Sequence, residues 1–345
     1  MSQLTAVRIL QGPGVGVHQP SLRRYCRAVG KDWGIEITLM SDLQPALLRS
    51  EAELTLRDSD ASVILVPGTA ASHVIDLATS SRRIVWLDLG LAEVELDSSL
   101  RGSEVRTIRG RGVEGYGWAL RSLIAQTAWP ARTIRYGEQR DQVGDLRLPR
   151  GSDPAPVIAL IHGGAWRAAL ERDLMEAVAV DLAQRGWATW NIEYRRVAAG
   201  GGWPSTFEDV GAAVDRLREV DALLDLQHVG VLGHSAGGQL ALWTAARHRL
   251  PGSAPGANPK IDMQFAVSLG VRQLLVQGVT DLPDSVDMNR LYAEVATKAG
   301  DPIKLVELRD ADHFDVIEPR SSAWRAVAEE LAALGDVRPK VLGPR

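Results

Sequence analysis

The 345-residue chain has one cysteine, three phenylalanines and five tyrosines. A lone thiol, Cys26, excludes an internal disulfide framework and any zinc cage built on cysteines. No uninterrupted apolar run approaches the roughly 18 residues that a membrane-spanning helix needs. The opening MSQLTAVRILQGPG lacks the basic segment, apolar stretch and small-residue cleavage site of a secretory leader. An excess of one charge is missing as well. Lys and Arg number 39 against 43 Asp and Glu, a net charge of −4, which argues against a nucleic-acid partner or a polybasic membrane contact. VRILQGPGVG does not have the G-x-G-x-x-G spacing of a dinucleotide loop, and no Walker-type loop is present. What remains is 45% apolar and 24% charged, the composition of a globular chain. At roughly 150 residues per domain, the length predicts two domains. The expectation is a soluble, cytoplasmic, two-domain protein.

Residues 6–128 alternate β-like runs (VRILQG, IEITLM, SVILVPG, RIVWLDL) with helical stretches (SLRRYCRAVGKDW, LQPALLRSEAELTLR, ASHVIDLATSS, GYGWALRSLIAQTAW). This rhythm predicts a parallel sheet with helices on both faces. Trp129-Pro130 stops the last helix, which puts the domains at 1–130 and 131–345. From residue 131 the rhythm restarts. RTIRYGE and DQVGDLRLP read as a hairpin, and VIALI as a strand entering His162-Gly163-Gly164. A helix is predicted from Arg172 to Arg185, a strand at ATWNIEY, and a helix from Thr206 to Leu226. VGVLG then runs as a strand into Ser235, followed by the helical AGGQLALWTAARH. The last units are QLLVQG, a helix near Met288 to Lys298, KLVEL and SAWRAVAEELAAL. Both halves read as α/β.

Gly233-His234-Ser235-Ala236-Gly237-Gly238 fits G-x-S-x-G between a strand signature and a helical one. A serine at such a junction sits on a strained turn, and flanking glycines let strand and helix approach without a clash. The turn presents Oγ at the carboxyl end of the sheet and aims the Ala236 N–H at an oxyanion. Directly after VIALI, the adjacent Gly163 and Gly164 leave backbone N–H groups unobstructed for the same purpose. Seven histidines could serve as the base. Only His313 follows the serine in a post-strand loop, Asp310-Ala311-Asp312-His313-Phe314 after KLVEL, where such a base belongs. The acid that orients it should follow QLLVQG. Asp281 lies nearest the strand end, and Asp284, three residues on, is the alternative. Ten residues are tryptophan. Trp166 and Trp203, with Trp243 near them, are candidate pocket walls, whereas Trp187, Trp190 and Trp324 read as core.

Through YGEQRDQVGDLRLP, IHGGAWR, EYRR, GGGWPSTFEDV, GHSAGG, GVTD and DADHF, residues 133–335 resemble the α/β-hydrolase fold. The likeness is to the small esterase and arylformamidase-like branch with an HGGxW turn. It implies a Ser235–Asp281–His313 triad with Gly163, Gly164 and Ala236 as oxyanion donors. It also implies hydrolysis of a small carboxylic ester or an N-formyl or aryl amide through an acyl-enzyme, without metal or organic cofactor. One stretch departs from that branch: MQFAVSLG runs almost directly into VRQLLVQG. Adjacent parallel strands need a crossover of a dozen or more residues. Either AVSL is not a sheet strand or the sheet and lid are locally reduced.

ILQGPG, VILVPGTAASHV, IVWLDL and GRGVEGYGWALRSLI resemble type II 3-dehydroquinate dehydratase, a flavodoxin-like domain that assembles into oligomers. That family's amide-rich opening reads QGPGVG here, its Arg- and Tyr-bearing lid is largely absent, Val66 stands at its asparagine and Asp88 at its histidine. The resemblance therefore implies a catalytically inactive domain for homo-oligomeric assembly or pocket coverage. Ser72, His73 and the Pro67-Gly68 loop are its candidate anion contacts. A second function class stays open, that of a non-catalytic binding or scaffold protein built from two degenerate enzyme domains.

Overall fold

The computed structural model describes residues 4–90, 106–151, 153–220, 223–255 and 272–334. Its chain divides into two compact units, Met1–Pro130 and Ala131–Arg345.

In the first unit the order is β1 (Ala6–Gln11), α1 (Gln19–Trp33), β2 (Glu36–Met40), α2 (Pro45–Leu56), β3 (Ala61–Val66), α3 (Ile75–Ser80), β4 (Ile84–Leu87), β5 (Arg106–Ile108) and α4 (Gly115–Ala128). All pairings are parallel, in the order β2-β1-β3-β4-β5. Every residue of β3, ASVILV, is buried, as a strand covered on both faces must be. Its side chains alternate between two cores. Ile64 and Val66 pack with Leu22 and Cys26 of α1 and Leu120 and Leu123 of α4, whereas Val63 and Leu65 pack with Leu48 and Ala52 of α2. At the carboxyl ends of β1 and β3 the two loops touch. A Cβ on Gly12 would lie 2.1 Å from the Pro67 carbonyl oxygen, and one on Gly68 2.2 Å from that of Pro13. Tyr25 is held within α1, and Ser72 lies 3.4 Å from the His73 ring on a single turn spanning Gly68–His73.

The second unit contains β6 (Arg132–Arg135), β7 (Val143–Arg147), β8 (Ala155–Ile161), α5 (Glu176–Gln184), β9 (Ala188–Ile192), α6 (Ser205–Asp215), β10 (Leu224–Gly233), α7 (Ala236–Ala246), β11 (Gln273–Gly278), α8 (Pro283–Lys298), β12 (Ile303–Leu308) and α9 (Ser322–Leu334). Five strands form one sheet, β10-β8-β9-β7-β6, in which β10, β8 and β9 run parallel and the β6–β7 hairpin closes one edge antiparallel. Among the described residues, β11 and β12 pair in parallel with each other. The stretch containing AVSL lies outside the described residues. One core packs β8, β9 and β10 against α6 and α7, and the other lies between β8, α5 and α9. Trp187, Trp190 and Trp324 are core residues, and the indole N–H groups of the last two donate to the Ala213 carbonyl and the Asp181 carboxylate. Gly144 is required beside Trp190, since a Cβ there would sit 2.4 Å from the indole ring.

The sequence reading needs one correction here. The helix expected from Thr206 to Leu226 ends at Asp215, passes through a short turn at Arg216–Glu219, and gives way to β10 at Leu224. Leu224 pairs with Ala155, and this edge contact outweighs the helical preference of DALLDL. No described helix is long and apolar enough to cross a membrane.

Candidate active site

β8 and β10 are neighbours, and the loops leaving their carboxyl ends carry the Gly163-Gly164 turn and Ser235. Ser235 takes φ 55° and ψ −123° before the first residue of α7. For a residue with a Cβ this backbone costs of order 1–3 kcal/mol, a strain typical of functional turns. The glycines permit it. A Cβ on Gly233 would lie 2.0 Å from the Gly237 carbonyl oxygen, and one on Gly237 2.2 Å from that of Ile161. Strand, turn and helix are therefore in backbone contact, and the Ser235 side of the turn is left exposed.

The glycine turn lies against that elbow. A Cβ on Gly163 would be 2.5 Å from the His234 carbonyl oxygen and 2.7 Å from Ser235 Cβ. Gly164 (φ 118°), Ala165 (φ 51°) and Trp166 (φ 64°) then turn the chain through three successive positive φ angles. Among the described residues of this unit, the only non-glycine positive φ angles are at Ala165, Trp166 and Ser235.

His313 and Asp281 ride on the two-stranded pair β11–β12. His313 follows β12, Asp281 follows β11, and His313 Nδ1 donates to Asp281 Oδ2 at 2.8 Å. The two loops are sewn together: Thr280 Oγ1 donates to the Ala311 carbonyl at 2.7 Å, and a Cβ on Gly278 would come within 2.0 Å of that same oxygen. Asp284 is exposed in the first turn of α8 and makes no bond to His313. No hydrogen bond joins Ser235 Oγ to His313 in this structure. Their loops are coupled through His234, whose Nε2 donates to the His313 carbonyl at 2.8 Å. Burial pushes the His234 imidazole down to about 4, so its ring is neutral at neutral pH and Nε2 carries the proton.

Four aromatic rings, one of them Trp166 of the glycine turn, form a connected group. Phe207 stacks on Trp166 at 6.4 Å and makes edge contacts with Trp203 at 5.0 Å and Trp243 at 5.1 Å. Trp203 is 64% exposed, an unusual outlay of indole surface unless something covers it. Beneath the glycine turn lies a buried polar cluster around Glu193, which bonds His162, Arg196 and the Arg172 N–H. Burial alone would raise Glu193, yet the surrounding cations hold it well below the usual carboxylate range. Asp141, farther out in this cluster, is pushed up to about 6 by burial. Among the described residues no group of three His, Cys, Asp or Glu side chains is arranged to hold a metal ion.

A family model described as BD-FAE matches residues 145–307. Esterase LipC of Mycobacterium tuberculosis is 36% identical over 114 residues, 32% of this chain; the match spans only 28% of that relative's length. Kynurenine formamidase of Danio rerio is 25% identical over 231 residues, covering 64% of this chain and 69% of the relative. These likenesses are to an esterase and a formamidase, and the family-model match lies within the second unit. Among solved structures, the thermophilic esterase Est2 of Thermogutta terrifontis overlaps this chain with a TM-score of 0.49 at 19% identity, over 62% of this chain and 95% of the other. A bacterial heroin esterase overlaps with a TM-score of 0.48 at 20% identity, over 61% and 84%.

Sequence reasoning did not single out three residues of the α/β-hydrolase unit that shape this region. Phe207 joins the tryptophans, His234 holds the His313 backbone, and Glu193 holds His162. The signal for Glu193 was available in part, because a carboxylate directly after the strand ATWNI is costly to bury unless it is paired.

Proposed function

We propose that residues 131–345 form a serine hydrolase acting on a small carboxylic ester or an N-formyl or aryl amide. Ser235 Oγ attacks the acyl carbon while His313 Nε2 takes its proton, and Asp281 fixes the tautomer and supports the imidazolium that forms. The N–H groups of Gly163, Gly164 and Ala236 receive the negative charge of the tetrahedral intermediate. His313 then protonates the leaving alcohol or amine, and water releases the acyl group by the same steps in reverse. Trp166 and Trp203 flank the acyl or aryl portion of the substrate. The observation that carries this reading is the strained Ser235 backbone at the end of β10 beside the His313–Asp281 pair. The kynurenine formamidase and esterase relatives favour formamides and esters as the first substrates to try.

For residues 1–130 we propose a flavodoxin-like scaffold of the type II dehydroquinase kind, without its chemistry, through which copies of the chain assemble. Its parallel order β2-β1-β3-β4-β5 is the flavodoxin-like doubly wound order. A non-catalytic binding protein is the second reading, favoured by the missing Ser235–His313 bond. Catalytic hydrogen bonds often tighten only with substrate bound, so labelling decides between the two. Wild-type protein should react with a fluorophosphonate probe and hydrolyse p-nitrophenyl acetate or N-formyl-kynurenine, and Ser235→Ala should do neither. A wild type without label or turnover would leave the binding protein as the reading.

A further inference from the structure

We infer that His162 is held as an imidazolium and that in this form it aims and polarises the Gly164 N–H of the oxyanion turn, an inference that rests on the Ser235 reading above. Both ring nitrogens face oxygen acceptors. Nδ1 lies 2.7 Å from the Gly163 carbonyl oxygen, and Nε2 lies 3.0 Å from Glu193 Oε1. A carbonyl oxygen only accepts, so Nδ1 carries a proton. The Glu193 carboxyl group has no place for one. Its Oε1 also accepts from the Tyr194 N–H at 3.1 Å and from the Arg196 guanidinium, and its Oε2 accepts from the Arg172 N–H at 2.9 Å. Every hydrogen-bond partner of that group is a donor, so the proton between it and His162 sits on Nε2. A neutral ring would set a lone pair against a lone pair at one of the two contacts, inside a fully buried site.

The surroundings fit a cation. Asp141, Asp145, Glu171 and Glu193 face Arg140, Arg172 and Arg196 in this cluster, and of these groups it is the Glu193 carboxylate that touches the His162 ring. Tyr194 stacks on the ring at 4.4 Å, and its hydroxyl donates to the His162 carbonyl at 2.7 Å, so the ring cannot swing away. On the other side the neutral His234 adds no competing charge.

The consequence follows from peptide planarity. The Gly163 carbonyl and the Gly164 N–H belong to one trans peptide and point in opposite directions. Tying the carbonyl back to His162 turns the N–H outward from the ring. A charged donor on that oxygen also draws electron density from the amide and makes its N–H a stronger donor. His162 is therefore a positioning residue and touches no substrate.

The test uses the full chain, labelled with 15N-histidine and assigned with His162→Gln. At pH 7.5 both ring nitrogens of His162 should show the shift and attached proton of protonated imidazole; one bare, pyridine-like nitrogen would overturn the inference. Glu193→Gln should neutralise the ring and lower kcat for p-nitrophenyl acetate roughly tenfold, part of the effect of a lost oxyanion donor, with KM within about twofold. Glu193→Asp, which keeps the charge, should recover most of that rate, and equal losses in both variants would overturn the polarising role. Fluorophosphonate labelling of Ser235 is read on the same samples. An unlabelled, inactive wild type with a doubly protonated His162 would refute the hydrolase reading alone, and a labelled, active wild type with a bare nitrogen would refute the charge alone.

Discussion

His234 Nε2 donates to the carbonyl oxygen of His313 at 2.8 Å, across 79 residues of sequence. The residue before the proposed nucleophile thus holds the backbone of the proposed base. This bond joins β10 of the five-stranded sheet to the loop after β12 of the two-stranded one.

The buried His234 ring gives stability a defined pH dependence. Its pKa falls from the usual histidine value near 6.5 to about 4, with burial as the main cause. Between those values the unfolded chain binds the proton and the folded one does not, so this stabilising contribution is present above about 6.5 and is lost as pH falls towards 4. The slope is at most about 1.4 kcal/mol per pH unit. Asp141, raised to about 6, contributes with the opposite sign in part of that window. Urea unfolding of wild type and His234→Gln at pH 7, 6 and 5 should therefore show a stability difference that shrinks on acidification. A constant difference would assign His234 no part in the acid response.

Asp281 and Asp284 separate cleanly by substitution. Asp281→Asn should lower kcat by about 10⁴-fold, because the imidazole loses both its tautomer and its counter-charge. Asp284→Asn, which alters an exposed first-turn carboxylate, should stay within about twofold of wild type. The reverse ranking in p-nitrophenyl acetate turnover would reassign the acid.

Gly163→Ala drives a methyl group to 2.5 Å from the His234 carbonyl oxygen. The turn has to move away from Ser235, which should cost kcat about 10²-fold through misplaced oxyanion donors. Overpacking should cost about 1–3 kcal/mol of stability. Steady-state kinetics and denaturant unfolding on the same preparation check both numbers.

Ser235→Gly should abolish turnover yet raise the melting temperature. The backbone at φ 55° costs a serine of order 1–3 kcal/mol and a glycine far less. Allowing for the added entropy of the unfolded chain, a gain of about 1 kcal/mol, or roughly 2–4 °C, is expected. A fall in melting temperature would mean that the serine side chain stabilises the turn.

The parts of this architecture that were legible are those set by local chemistry. The apolar runs of β3 and β8 and the glycines around Ser235 each declare their conformation within a few residues, whereas α8, expected near Met288, begins at Pro283. What was not legible depends on distant partners. Leu224–Leu226 has helical composition and becomes strand because β8 offers an edge to pair with. Glu193 gains its meaning from Arg196, Arg172 and His162, and Phe207 from three tryptophans spread over 78 residues. Between Asp281 and Asp284 the sequence offered only distance from a strand end as a guide. The structure separates them by their contact with His313.

The parallel pair of β11 and β12, register Gly278 to Leu308, makes the contact between Asp281 and His313 a property of one small sheet. Ser235 and its glycines belong to the other sheet. Among the described residues, the proposed chemistry therefore draws its nucleophile from one set of paired strands and its base and acid from another.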